Sequence, residues 1–136
     1  MPFVLDASVT ASWAFRDEQH PHADLALERI RTDQALAPSL WWFEVRNILI
    51  VSERRKRLSE AETAAFLRDL ATLGVDLDIT PETNEVLRLA RTHQLSVYDA
   101  AYLELALRKN TPLATLDTDL VRAARIESVH IVGETV

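Results

Sequence analysis

SVYDAAYLELALRKNTPLATLDTDL, residues 96–120, is the stretch on which the fold turns. Ala100, Ala101, Tyr102, Leu103, Leu105, Ala106 and Leu107 make its first half apolar almost all the way round, leaving Glu104, Arg108 and Lys109 for solvent. A helix with so little polar surface belongs inside a domain. Asn110-Thr111-Pro112 ends it, because proline biases the residue before it away from helical geometry. Leu113 to Leu116 then reads as a short buried strand that stops at Asp117.

Two acids stand at the edges of this apolar block. Asp99 lies in the first helical turn, in line with Leu103 and Ala106, and so points along a buried face. Asp117 leaves the carboxyl end of the strand, which in open α/β sheets is the end where ligands bind. Taken singly, both read as caps. Ser96 with Asp99 resembles a capping box, and Asp117 or Asp119 is placed to cap the next helix. A functional reading depends on the rest of the chain.

The flanking sequence alternates strands with helices. Upstream, Phe3-Val4-Leu5 forms a buried strand closed by Asp6, and a helix carrying Trp13, Ala14 and Phe15 follows. After a polar loop over 16–22, residues 23–31 are amphipathic and 35–37 form a second strand ended by Pro38. Ser39 is expected to cap a helix running to about Arg55, and Ser59 with Glu62 forms a capping box for the next. Gly74 stops that helix, 75–79 reads as a strand, and Thr80-Pro81 opens a helix whose core face is Val86, Leu87 and Ala90. A short helix over 120–125 and a strand over 129–132 complete the chain. This order predicts a single α/β domain over 1–136, a twisted parallel sheet flanked by helices on both faces.

Composition narrows the chemistry. With 136 residues, 48% hydrophobic and 26% charged, the chain can bury a proper core. It has no apolar run able to span a bilayer and no secretory leader, so a cytoplasmic location without membrane contact is expected. The absence of cysteine removes disulfides and thiolate metal sites. Only Gly74 and Gly133 occur, which rules out Gly-rich phosphate loops and argues against nucleotide cofactors. The net charge of −6 speaks against nucleic acid unless bound metal cancels clustered acids locally.

A fourth acid supplies the case for such a cluster. Glu44 interrupts the apolar stripe of WWFEVRNILIV, sharing a face with Trp41, Ile48 and Val51. A buried carboxylate needs a partner, either an arginine from elsewhere or a metal. Arg46 lies on another face of the same helix. If the two strand-end acids sit on neighbouring parallel strands, Asp6, Glu44, Asp99 and Asp117 converge at the carboxyl edge of the sheet. Two like charges about 4 Å apart repel by roughly 4 kcal/mol at an effective dielectric near 20. A divalent cation relieves this, and all-oxygen ligands select Mg²⁺ or Mn²⁺ over zinc. Such a centre suits phosphoryl chemistry. Ser8 and Thr115, beside two of the acids, are placed either to orient them or to serve as ordinary strand-end hydroxyls.

The pattern resembles the PIN-domain ribonucleases of the VapC toxin type, over nearly the whole chain. The resemblance rests on Val4-Leu5-Asp6-Ala7-Ser8, Glu44-Val45-Arg46-Asn47, Tyr98-Asp99-Ala100-Ala101-Tyr102 and Ala114-Thr115-Leu116-Asp117-Thr118-Asp119-Leu120, in that order. It implies a magnesium-dependent endoribonuclease with Asp6, Glu44, Asp99 and Asp117 as the acidic quartet. Asp6 and Asp99 would be the principal metal ligands, Asp117 would lie nearby, and Glu44 would orient water or a second ion. Asp119 would be peripheral. The resemblance also implies a homodimer silenced by a small antitoxin, which can carry the pair to its operator DNA.

Other families fit less well. An aspartate-nucleophile phosphatase needs a second acid two residues after the first, where this chain has Ser8. A phospho-receiver needs paired acids after the first strand and a lysine near the last, and has neither here. The remaining alternative is a catalytically weak PIN-like binding module acting with an antitoxin on operator DNA. Arg16, Arg46 and the 54–57 basic cluster are candidate phosphate contacts, the cluster reading first as a solvated helix end. Trp13, Trp41 and Trp42 read as core or interface residues before base-stacking ones, and the four histidines show no metal spacing.

Overall fold

Phe3, Val4 and Leu5 lose all contact with solvent and form β1 (Phe3–Leu5), the innermost strand of a four-stranded sheet. The computed structural model describes residues 1–15 and 17–134; Arg16, one of the candidate phosphate contacts, lies outside them. β2 (Ala35–Pro38) pairs with β1, Phe3 facing Ala35 and Val4 facing Leu36. β3 (Asp76–Asp78) lies beyond β2, and β4 (Leu113–Ala114) pairs with the opposite side of β1. The order is β3-β2-β1-β4 and every pairing is parallel. The parallel sheet flanked by helices expected from the alternation is therefore present.

The expected last strand over 129–132 contracts to a single bridge between Ile131 and Leu113. The Val129 N–H is already taken by the Ala124 carbonyl, so pairing with β4 starts only at His130 and Ile131.

Seven helices are formed among the described residues: α1 (Ala7–Ser12), α2 (Pro21–Arg29), α3 (Leu40–Arg54), α4 (Glu60–Thr72), α5 (Thr83–His93), α6 (Val97–Lys109) and α7 (Thr118–Ile126). α6 is the buried helix expected at 97–109, with every residue from 100 to 106 enclosed. Asn110, in the left-handed region at φ 52°, closes it ahead of Pro112. Ser59 and Glu62 form the reciprocal capping box of α4, and Gly74, at φ 67°, follows its end.

Several local expectations differ from the structure: the strand expected over 113–116 is only Leu113–Ala114, and α1 ends at Ser12, before Trp13, Ala14 and Phe15. Glu104 is 1% exposed rather than solvated. It accepts from the Arg108 guanidinium and from the Glu82 N–H, while Arg108 also grips Asp78 at the end of β3. Helix α5 begins at Thr83, not at Thr80-Pro81, because the Glu82 side chain accepts from the Glu85 N–H and so caps it two residues later. Ser39 precedes α3 but makes no side-chain cap, since its own backbone is already helical.

The sheet order determines where a ligand would bind. From β1 the chain moves to β2 and β3 on one side, then returns to β4 on the other. The turn of direction leaves a crevice between the carboxyl ends of β1 and β4. Asp6 follows β1 directly, and Thr115-Leu116-Asp117 follows β4.

Candidate active site

At that crevice the structure brings all four acids together. Asp6, Glu44, Asp99 and Asp117 line one cavity of about 220 Å³, with Ser8, Asn47 and Tyr102 among its other walls. β1 and β4 deliver Asp6 and Asp117, α6 delivers Asp99 from its first turn, and α3 delivers Glu44 from its second. A hydrogen bond from Trp41 Nε1 to Thr10 Oγ1 ties α3 to α1, and Thr10 in turn donates to the Asp6 carbonyl. Glu44 is thereby placed relative to the end of β1.

The capping reading and the site reading describe the same residues. Asp6 caps α1 by accepting from the Val9 N–H, and Asp117 Oδ1 caps α7 by accepting from Asp119 and Leu120. Ser96 caps α6 through the Asp99 N–H. Three helices thus begin at the cavity, and their N-terminal dipoles partly offset its negative charge. A cap occupies one face of a carboxylate and leaves the other for the cavity.

Register explains the best-held acid. Leu5 opposite Ala114 sets Asp6 beside Thr115, whose hydroxyl donates to Asp6 Oδ2. Ser8 donates to the same carboxylate and accepts from the Leu116 N–H, while Thr115 accepts from the Asp117 N–H. Both hydroxyls therefore orient an acid and join β1 to the segment after β4. Burial pushes the Asp6 carboxyl up to about 6, against the opposing pull of its donors from Thr115, Val9 and Ser8.

Burial also raises Glu44 and Asp99 above the usual carboxylate range, and the charge of Asp117 adds to the rise at Asp99. Asp99 and Asp117 line the same cavity, where a shared proton or a cation would relieve their mutual repulsion. The partner of Glu44 is not an arginine. Tyr102, itself 2% exposed, donates its hydroxyl to Glu44 Oε1 at 2.5 Å. Arg46 turns away, lying 3.8 Å from the Trp42 ring centre and donating to the Trp42 carbonyl.

The four acids ring the cavity rather than converge on a point. Among the described residues no three acidic or histidine side chains stand close enough together to grip an ion as they are. The donor set nevertheless suits a hard divalent cation: carboxylates, a serine hydroxyl and an asparagine amide, with no sulfur and no imidazole. Asp119 stays outside, exposed and 3.7 Å from Arg122. Sequence reasoning assigned no role to Tyr102 or Asn47. Their signal was helical spacing: Tyr102 stands three residues after Asp99, and Asn47 three after Glu44.

A parallel sheet with an acid-lined crevice at its switch point defines a class of α/β domain built to act on a ligand at the carboxyl edge. The PIN domain family matches residues 3–126, and the chain belongs to that family. It is 34% identical over 124 residues to Ribonuclease VapC3 of Pyrobaculum aerophilum, covering 88% of this chain and 92% of the relative. Among solved structures, PAE2754 from Pyrobaculum aerophilum superposes with a TM-score of 0.73 at 23% identity, covering 97% of this chain and 90% of that one. FitAcB from Neisseria gonorrhoeae does so with a TM-score of 0.67 at 16% identity, covering 96% of both. These two likenesses establish the fold. No helix among the described residues is long and apolar enough to cross a membrane.

Proposed function

We propose that this protein is a Mg²⁺-dependent endoribonuclease, the toxin of a VapBC-type toxin–antitoxin pair, with Mn²⁺ as a possible substitute ion. The observation that carries the reading is the meeting of Asp6, Glu44, Asp99 and Asp117 around one cavity at the carboxyl edge of the sheet. The similarity to Ribonuclease VapC3 over most of both chains supports it.

In this reading Asp6, Asp99 and Asp117 hold the ion, with Glu44 beside it. Bound Mg²⁺ supplies a Lewis acid for the phosphate oxygens and lowers the pKa of the attacking water. The chain's own groups do the positioning. Ser8, Thr115 and the Val9 N–H fix the Asp6 carboxylate in one orientation. Tyr102 holds Glu44 by Oε1, leaving Oε2 to accept the proton of the water as it attacks phosphorus. One P–O bond of the RNA backbone breaks, and its oxygen leaves with a proton from solvent.

The protein works in the cytoplasm as a homodimer, inhibited by a cognate antitoxin through which alone it reaches operator DNA. The apolar side chains left exposed beside the site, Trp42 and Phe43 on α3 and Val97 and Tyr98 on α6, support such protein contacts. The test is cleavage of RNA by antitoxin-free protein with Mg²⁺ or with EDTA, alongside Asp99→Asn. Cleavage that needs the metal and disappears in the variant is expected. Cleavage that survives both changes would sink the proposal.

A further inference from the structure

The acidic cavity does not end at the acids. A second cavity of about 420 Å³ shares Ser8, Asn47 and Ile48 with it and runs along α3 as far as Arg55 and Arg57. Its lining is mainly apolar, with Ala11, Ile48, Val51 and Leu116, and Ser12 and Ser52 lie between them. The two spaces adjoin at these three residues, so a strand processed at the acids has this groove next to it.

The two arginines at its far end differ in kind. Arg57 is committed: it bonds Glu18 at 3.1 Å, approaches Asp17 at 3.9 Å and lies 4.2 Å from the Phe15 ring centre. That pairing also cancels Glu18, the one acid lining the groove. Arg55 forms no ion pair among the described residues, in a protein where Arg29, Arg88, Arg108 and Arg125 all do. Of the cations lining the cavities described, Arg46 borders a space between α3 and α4 that shares no wall with the acids. Arg55 is the uncommitted guanidinium in the space that does.

We infer that this groove is the track of the RNA strand and that Arg55 holds a backbone phosphate flanking the one cleaved. The inference rests on the ribonuclease reading above and deepens it. Asn47 on α3 and Arg55 at its C-cap are eight residues apart, about 12 Å at the rise of a helix, so the phosphate bound lies beyond the scissile position. A planar guanidinium facing open groove matches a phosphate by charge and by its paired donors. The groove bears no net acidic charge to repel the RNA backbone. The low overall charge of the protein does not exclude such a substrate, because the one acid lining the groove is paired and Arg55 is left to meet a phosphate.

The test uses Asp99→Asn protein, which keeps RNA intact, and a short mixed-sequence single-stranded RNA, with binding followed by fluorescence anisotropy in Mg²⁺. Adding Arg55→Gln should weaken binding roughly fivefold and make the log–log salt slope shallower by about 0.7, the share of one phosphate on a single strand. Arg91→Gln, exposed on α5 away from the groove, should change neither. Equal affinity and slope with and without Arg55 would overturn the inference, assign the groove to a protein segment, and leave the ribonuclease reading standing. No RNA binding by any variant, together with no cleavage by the unaltered protein, would remove the reading and the track with it.

Discussion

Asp6 is fully enclosed, accepts from three donors, and still holds its proton to about pH 6 because burial outweighs those bonds. The consequence for stability has a definite sign. From its ordinary value of 3.8 up to about 6, the folded chain binds this proton more tightly than the unfolded chain does, so stability falls as pH rises through that window. The loss attributable to Asp6 is roughly 3 kcal/mol. Glu44 and Asp99 push in the same direction. Asp78, Glu85, Glu127 and Glu134 are shifted downward and act at lower pH, so they do not mask the effect. Thermal melts of metal-free protein should therefore show a lower Tm at about pH 7 than at about pH 5, and Asp99→Asn should flatten part of that slope. Tyr102 offers a second test. In Tyr102→Phe the Glu44 carboxylate loses its donor, and cleavage should drop about tenfold with weaker Mn²⁺ binding in a titration. An unchanged metal affinity would show that the hydroxyl serves packing alone.

Among the elements, α6 connects the site to the rest of the fold. Its first two turns present Asp99 and Tyr102 to the cavity, its middle is core, and its last turn anchors β3 through Arg108. Glu104 is buried and its charge is balanced by Arg108 alone among the described basic groups. Arg108→Ala would strand that carboxylate, and urea unfolding should show a loss of about 3 kcal/mol. Glu104→Gln in the same background should recover part of it, because the neutral amide costs less to bury. A second network at the end of α5 joins buried His93 to Glu127, which Arg88 also holds. It fastens α5 to the close of α7. Cap and candidate site residue coincide at the starts of α1 and α7 for a mechanical reason: a helix that begins close after a strand must satisfy its first N–H groups at the sheet edge, where the crevice also lies.

For the whole molecule, the clustering of four carboxylates in one cavity is a standing cost that an ion would relieve. Binding to the folded chain alone raises stability by mass action. Addition of Mg²⁺ at neutral pH should raise the Tm of the unaltered protein by several degrees and leave that of an Asp6→Asn, Asp99→Asn double variant nearly unmoved. Equal shifts in both would place the ion elsewhere. The exposed Trp42, Phe43, Ile50, Val97 and Tyr98 should leave the chain as a dimer in light scattering, and Phe43→Glu should yield monomer.

Periodicity and punctuation by themselves determined the class of fold. The buried character of 100–106, the strand end at Asp6 and the capping box at Ser59 are local properties, carried by residues a few positions apart. The four acids were legible for the same reason, since each breaks an apolar run or closes one. What only the tertiary structure decided is what meets across the chain. Tyr102 reaches Glu44 over 58 positions and Thr115 reaches Asp6 over 109, contacts fixed by strand order and register that no local pattern encodes. Glu104 read as solvated because its burial depends on Arg108 and on the segment before α5 packing over it. The Arg55 groove, likewise, exists only once α1 and α3 lie side by side. Local sequence sets which faces are apolar and where elements stop, whereas the pairing of distant polar groups awaits the packing that removes water from between them.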